Sequence, residues 1–480
     1  MTSIHPFWVA GVSTTSAEIA QVLHPSDESI VARHYVPSVK DIGDAIHAAS
    51  TQAKTVQATS AATRAEALMH VSRRLSERFD EVANLIVAEN GKPIMWARAE
   101  ALRAVATFRW AAEETRRFSG EMQRLDTETT TAGRMAIIRR FPYGPILGIS
   151  PFNFPINLVA HKLAPAIAVG APIIIKPAPS TPMCALLLGE LLAETDLPNG
   201  AWSILPIGNE LAPLLVQDPR LPVISFTGSD KVGYEIEKQV PSKRLTLELG
   251  GNAAAVVLED WNSQKNLDWA ASRIATFGNY QAGQSCVSVQ RVLIHESLFD
   301  DLSVQIVQTV KSLPNGDPHD ESVVVGPLIN VEAAKRVESW IEQAVADGAT
   351  LLCGGTREGA FVEPAVLVNV PASSNLLCNE VFGPVIVLAS FSTTQEAFDL
   401  VNDSEFGLQA GIFTHDIQTA FKAHRDLDVG GVIIGDVPSF RSDQMPYGGV
   451  KGSGSGKEGL RFAMEDFTHE RVMVLSGLDL

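Results

Sequence analysis

Between Gly144 and about Gly251 short apolar runs alternate with helical patterns, and after Gly251 the alternation restarts; nothing else in the chain narrows its fold as much. The first series places strands in PILGIS, APIIIKP, WSILPI, PVISFTG and LTLELGG, with helices in INLVAHKLAPAIAVG, TPMCALLLGELLAET, NELAPLLVQD and SDKVGYEIEKQV between them. Strands that are apolar throughout, each followed by a helix, read as a parallel sheet covered on both faces. The second series runs through NAAAVVL, QRVLIHE, LLCGG, PAVLVNV, VIVLASF and GIFTHD, with helices such as SLFDDLSVQIVQTVKS and VESWIEQAVADGA. Two α/β units suit 480 residues, more than one core organises. Ligands of such sheets bind outside the carboxyl ends of the strands, where Asn153, Lys176 and Ser229 fall.

Ahead of this region, residues up to about Val36 read as short strands and turns, and three long helical patterns follow. The second runs unbroken through TRAEALMHVSRRLSERFDEVANLIVAEN. In the third, Ala101, Ala104, Val105, Phe108 and Ala112 recur at the spacing of one buried face. Arg109 and Arg116 lie on a neighbouring face, as solvated charges or, at a site border, as contacts for an anionic substrate. The stretch EMQRLDTETTTAGRMAIIRRFPYGP reads as an extended hairpin, and a long strand edge invites pairing with another subunit.

A net charge of −17, from 55 acids against 38 Lys and Arg, disfavours nucleic acid or an anionic membrane as partner. No apolar run reaches the roughly 18 residues of a membrane span, and no signal peptide is read at the N-terminus. Cys184, Cys286, Cys353 and Cys378 are far apart, which implies no metal site, no disulfide framework and a reducing, cytoplasmic location.

Chemistry concentrates between TLELGGN and GQSCV. Glu248 and Cys286 pair a carboxylate with a thiol in a small polar turn, the combination of base and nucleophile that covalent catalysis needs. Taken alone they read more simply as a surface charge and a small buried side chain. In SFTGSD, Ser229 caps a helix whose free N–H groups could receive a pyrophosphate. Lys176 ends an apolar strand and must reach solvent, a ribose or a phosphate. Two patterns mislead. GSGKEG spells G-x-G-x-x-G but follows a polar loop and opens no βαβ unit, and GQSCV lacks the last glycine of a hydrolase elbow.

Five separated pieces in this order, SPFNFP, IIIKPAPSTP, FTGS, LELGGN with GQSC, and NEVFGPV with PYGGVKGSGSGKE, resemble the NAD(P)-dependent aldehyde dehydrogenase superfamily over nearly the whole chain. The resemblance extends to relatives that oxidise phosphonate- or phosphate-bearing aldehydes and lactaldehyde. It implies an α/β fold of two Rossmann-like open-sheet domains plus a small β oligomerisation element. The divisions it implies are cofactor binding over 1–120 and 142–249 with a return over 452–467, catalysis over 250–451, and oligomerisation through 121–141 and 468–480. Cys286 then matches the nucleophile, Glu248 the general base and Asn153 the oxyanion donor. Ser150, Pro151, Phe152, Lys176, Ala178, Pro179, Gly208, Phe226, Thr227, Gly228, Ser229, Leu249, Gly250, Glu380 and Phe382 match the cofactor site.

The implied reaction oxidises an aldehyde to its acid through a thiohemiacetal and thioester, with hydride passing to NAD or NADP. The implied assembly is a homodimer or homotetramer. Relatives that acylate coenzyme A typically lack the LELGG glutamate, so Glu248 favours water over that alternative; a catalytically silent binding member would need a lost nucleophile or base. Arg109, His161, Ser285 and Arg291 lie in segments that border the aldehyde tunnel in relatives. With Ser285 where some relatives of anionic aldehydes carry Arg, a small general aldehyde is favoured and an anionic one stays open. Two departures stand out. Pro179 and Ser180 occupy the place where NAD-strict members carry Glu, so NADP should be tolerated. The interval from Glu248 to Cys286 is also a few residues longer than usual, with the extra length assigned to a surface loop at DWNSQKNLD.

Overall fold

Ile173, Ile174 and Ile175 are fully buried, as expected of a central strand covered on both faces, where every position selects a β-branched side chain. A computed structural model describes residues 4–477 and 479. The strand Ile173–Lys176 belongs to an eight-stranded sheet ordered 454–455, 244–248, 223–227, 146–149, 173–176, 202–204, 7–9 and 12–14. Its five inner strands are parallel. Antiparallel strands close both edges. Register brings the carboxyl ends level: Ile149 pairs with Lys176 and Thr227 with Glu248.

The second sheet is ordered 350–353, 365–368, 385–391, 291–295, 254–257, 409–413 and 431–434, and only the 350–353 strand runs antiparallel. A third sheet pairs Thr468–Ser476 with Arg134–Pro142 along nine residues and Arg134–Pro142 with Glu121–Arg124. One apolar cluster fills the first unit, and three smaller ones pack around the second sheet. Among the described residues no helix is long and apolar enough to cross a membrane.

Two local expectations change. The pattern through TRAEALMHVSRRLSERFDEVANLIVAEN is two helices, Ala61–Glu77 and Phe79–Asn90, broken where Arg78 takes φ −101° and ψ 25° and pairs with Glu81 and Glu190. The segment DWNSQKNLD is only partly a loop, because Ser263 caps a helix that begins at Gln264. GSGKEG forms no phosphate turn; Gly454 and Ser455 pair with Glu248 and Leu247 and seal the edge of the first sheet.

Candidate active site

Four loops leave the carboxyl edge of the first sheet and carry its polar residues to one cavity of about 900 Å³. Ser150, Pro151, Phe152 and Asn153 follow the strand Ile146–Ile149, Lys176, Ala178 and Pro179 follow Ile173–Lys176, and Gly228 and Ser229 follow Val223–Thr227, whose Phe226 and Thr227 also face the cavity. Glu248, Leu249 and Gly250 come from the strand next to it. The opposite wall comes from the second unit with Ser285, Cys286, Glu380 and Phe382.

The loop holding Asn153 is anchored by a buried ion pair. Lys92 binds Glu100 and donates to Asn153 O at 2.8 Å, while Glu100 Oε1 accepts from the N–H groups of Ile156 and Asn157. These bonds cap the helix Asn157–Val169 and fix the side chain of Asn153, which donates to Gln284 O at 3.0 Å. Gln284 stands two residues before Cys286, so amide and thiol share one scaffold. The turn leading to Cys286 depends on left-handed backbone at Gln281 and Ala282, and a Cβ on Gly251 would lie 2.2 Å from Cys286 O. The Cys286 N–H donates to no backbone acceptor among the described residues and is free for a ligand.

Glu248 is buried, and among the described residues neither of its oxygens has a hydrogen-bond partner. Burial, reinforced by repulsion from Glu458, pushes it well above the ordinary carboxylate range. Glu458 goes the other way: burial opposes ionisation, but Lys162 and Arg441 outweigh it and hold the acid below its usual range. Lys162 lies 3.5 Å from Glu458 and Arg441 2.8 Å. Lys162 also donates to Thr227 at 2.7 Å. Burial raises the Cys286 thiol to about 12, against a lowering by the Tyr447 hydroxyl 2.9 Å from Sγ.

At the far end of the cavity, burial lowers Lys176 to about 8, and its ammonium donates to Asn209 at 2.9 Å. Glu380, raised to about 7 by burial, accepts from the Gly251 N–H at 2.9 Å, and Phe382 meets Phe152 edge to face. Ser229 caps the helix Asp230–Gln239, whose first turn borders the cavity. The buried Ser150 hydroxyl is unpartnered. This donor and acceptor set, in a cavity of that volume, fits a dinucleotide beside the sulfur. Among the described residues no cluster could hold a metal ion.

Four residues fall elsewhere. Arg109 is exposed on the helix Ile94–Arg117, turned away from the cavity. Arg291 is buried and donates to the carbonyls of Asn252, Leu400 and Val401, so packing consumes its charge. His161 sits behind the wall, 2.9 Å from Asp443. Gly208 lies beside the lining residue Asn209 but does not itself face the cavity. The lining adds side chains the motifs did not single out: Arg103, Arg441, Tyr447 and Glu458. Behind them Asp443 receives Arg103 at 2.8 Å and is held well below the carboxylate range by His161 and Arg103 despite its burial. Lys162 left a trace as a cation inside a helix that is buried throughout, and Tyr447 and Glu458 lie within the family-like stretch PYGGVKGSGSGKE.

The model of the aldehyde dehydrogenase family matches residues 9–473. A 3-sulfolactaldehyde dehydrogenase of Priestia aryabhattai is 39% identical over 470 residues, 98% of this chain and 97% of the relative. The crystal structure of aldehyde dehydrogenase 21 from Physcomitrella patens, in complex with the reaction product succinate, superposes with a TM-score of 0.97 at 40% identity, covering 100% of this chain and 99% of that one. The glyceraldehyde-3-phosphate dehydrogenase GapN of Methanocaldococcus jannaschii, complexed with NADP, gives 0.91 at 34%, covering 96% and 100%. With sequence and fold agreeing over almost the full length, the chain belongs to the aldehyde dehydrogenase family and is an NAD(P)-dependent oxidoreductase that converts an aldehyde to its acid.

Proposed function

We propose that the protein oxidises a short aldehyde bearing a distal anion, a carboxylate or a sulfonate, with Cys286 as nucleophile and Glu248 as base. The observation that carries the substrate reading is Arg441. Its guanidinium lines the cavity, stacks 3.9 Å over the Tyr447 ring beside the nucleophile, and keeps a buried Nε–H without an acceptor. Around it Arg103 and Arg441 face the carboxylates of Asp443 and Glu458, both held below the ordinary carboxylate range, and Lys162 bonds Glu458 from behind. The unpartnered Arg441 Nε–H in the cavity wall is the group that an anionic tail would meet. The succinate and sulfolactaldehyde attached to the names of relatives agree with this chemistry.

The sulfur attacks the carbonyl, and the developing charge on oxygen faces the Asn153 amide and the Cys286 N–H. Each such donor is worth roughly 3 to 4 kcal/mol of barrier. A bound nicotinamide supplies the hydride acceptor. Lys176 and the Gly228–Ser229 turn would hold the adenosine and phosphate portions, and Glu380 and Phe382 the nicotinamide end. Glu248, once ionised, takes a proton from water as it releases the acid from the thioester. Its unpartnered oxygens are free to hold that water, which favours hydrolysis over transfer to another thiol.

We extend the proposal to a homodimer or homotetramer formed through the sheet containing Thr468–Ser476, where Val472, Met473 and Val474 are each more than half exposed. Four free cysteines fit a reducing cytoplasm. The test is a panel of four-carbon aldehydes, with and without a terminal carboxylate or sulfonate, on the native protein and Arg441→Gln. A lost charge-assisted bond should cut kcat/KM for the anionic members about 10- to 150-fold relative to the neutral one. An unchanged ratio would remove Arg441 from substrate binding.

A further inference from the structure

The Tyr447 hydroxyl has Cys286 Sγ, at 2.9 Å, as its hydrogen-bond partner, and no other among the described residues. Three restraints aim it there. The ring is 4% exposed and packs with Val287 and Leu408. Its main chain is bonded reciprocally to Glu458, N–H to O at 3.0 Å one way and 2.7 Å the other. The Arg441 guanidinium covers the ring face at 3.9 Å. A phenol held this firmly against a sulfur contributes more to that sulfur than packing.

We propose that Tyr447 is a catalytic residue that keeps its own proton and donates its O–H to Cys286 Sγ, supporting negative charge on the sulfur until the carbon–sulfur bond forms. The proposal rests on Cys286 being the nucleophile. The thiol proton leaves to water in the cavity. The sulfur electron pair then attacks the carbonyl carbon, and the carbonyl π pair moves to the oxygen facing Asn153. Once sulfur is bound to carbon its charge is gone, and the phenol bond weakens.

The surroundings make such a donor necessary. Burial disfavours the thiolate, the Glu380 and Glu248 carboxyl groups oppose it, and Arg441 favours it from across the ring. Among the groups that favour it, the Tyr447 bond acts most strongly. Tyr280, on the helical turn before Cys286, is occupied by its bond to Ser285 at 2.7 Å and cannot substitute. Burial holds the Tyr447 phenol well above its ordinary range, so it remains protonated and acts as donor at neutral pH. The cation over the ring strengthens that donor.

The test uses the full-length protein and Tyr447→Phe, which keeps the ring under Arg441. The pH dependence of Cys286 alkylation by iodoacetamide is read by peptide mass spectrometry, because the exposed Cys378 reacts as well. A hydrogen bond to a charged group corresponds to a rise of about one to two pH units in the midpoint, so alkylation below it slows about 10- to 100-fold and the curves rejoin at high pH. Replacing the tyrosines by fluorotyrosine makes the phenol a stronger donor while keeping its shape; the midpoint should then fall, and this arm decides if Tyr447→Phe does not fold. An unmoved midpoint overturns the proposal. If Cys286 of the native protein resists alkylation at every pH while Cys378 reacts, the nucleophile assignment itself fails and Tyr447 falls with it.

Discussion

Replacing Glu248 by Gln should leave the fold intact and stop the reaction halfway. Among the described residues neither carboxylate oxygen has a partner, so the amide breaks no hydrogen bond there, and its extra N–H can meet cavity water. The thermal midpoint should move by no more than about 3 °C. Catalysis should respond differently on the two sides of the thioester. Attack and hydride transfer do not need Glu248 as a base, whereas release of the acid does. Loss of a general base lowers that step about 10²- to 10⁴-fold, or about 3 to 5 kcal/mol. Stopped-flow absorbance should therefore show a burst of about one NAD(P)H per chain followed by slow turnover, with the acyl group found on Cys286 by mass spectrometry.

The pH signature follows from the same carboxyl group. Burial raises its folded value, and the active form is the ionised one, so the native rate should climb with pH beyond the ordinary carboxylate range. The Gln variant should lose that limb. Stability moves oppositely: a raised group contributes fully below its unfolded value of about 4.3 and loses that contribution as pH rises through the folded value. The Gln variant should lack this share of the decline. Full steady-state turnover in the variant, or loss of the burst together with turnover, would refute the assignment.

Cofactor choice should be permissive, because Pro179 and Ser180 place no carboxylate against a 2′-phosphate; a preference for NAD above about a thousandfold in kcat/KM, roughly 4 kcal/mol, would contradict this. Gly251→Ala should fold yet lose about 10²-fold or more in kcat, since the new Cβ would sit 2.2 Å from Cys286 O and push the nucleophile turn aside; near-native kcat would show that the turn yields freely. Val472→Lys combined with Val474→Lys should reduce the assembled mass in light scattering, as both side chains are about half exposed on the sheet proposed as interface. An unchanged mass would move the interface elsewhere.

The order of strands and helices was legible in the chain because it rests on local periodicity, and the runs through Ile146–Ile149, Ile173–Lys176, Val223–Thr227 and Arg244–Glu248 are strands in the structure. Asn153, Lys176 and Ser229 were legible for the same reason, since a parallel sheet presents strand ends to a single edge, whereas Glu248 stood out only as a carboxylate beside paired glycines. Cys286 needed the family pattern, as one thiol carries no periodic signal.

The end of the cavity proposed to receive the substrate was decided by tertiary structure. Arg109 and Arg103 stand on one helix six residues apart, about 240° around its axis, so facing the cavity with one turns the other to solvent. Nothing local selects Arg103; Asp443, 340 positions further on, does so by accepting its guanidinium. Arg441, Tyr447 and Glu458 lie in or beside a glycine-rich stretch that is polar and aperiodic in sequence, and they acquire charge and direction only against Lys162, Glu248 and Cys286. Local pattern determined the scaffold because it depends on near neighbours, whereas the electrostatics around Arg441 sums charges that only folding brings within a few ångströms.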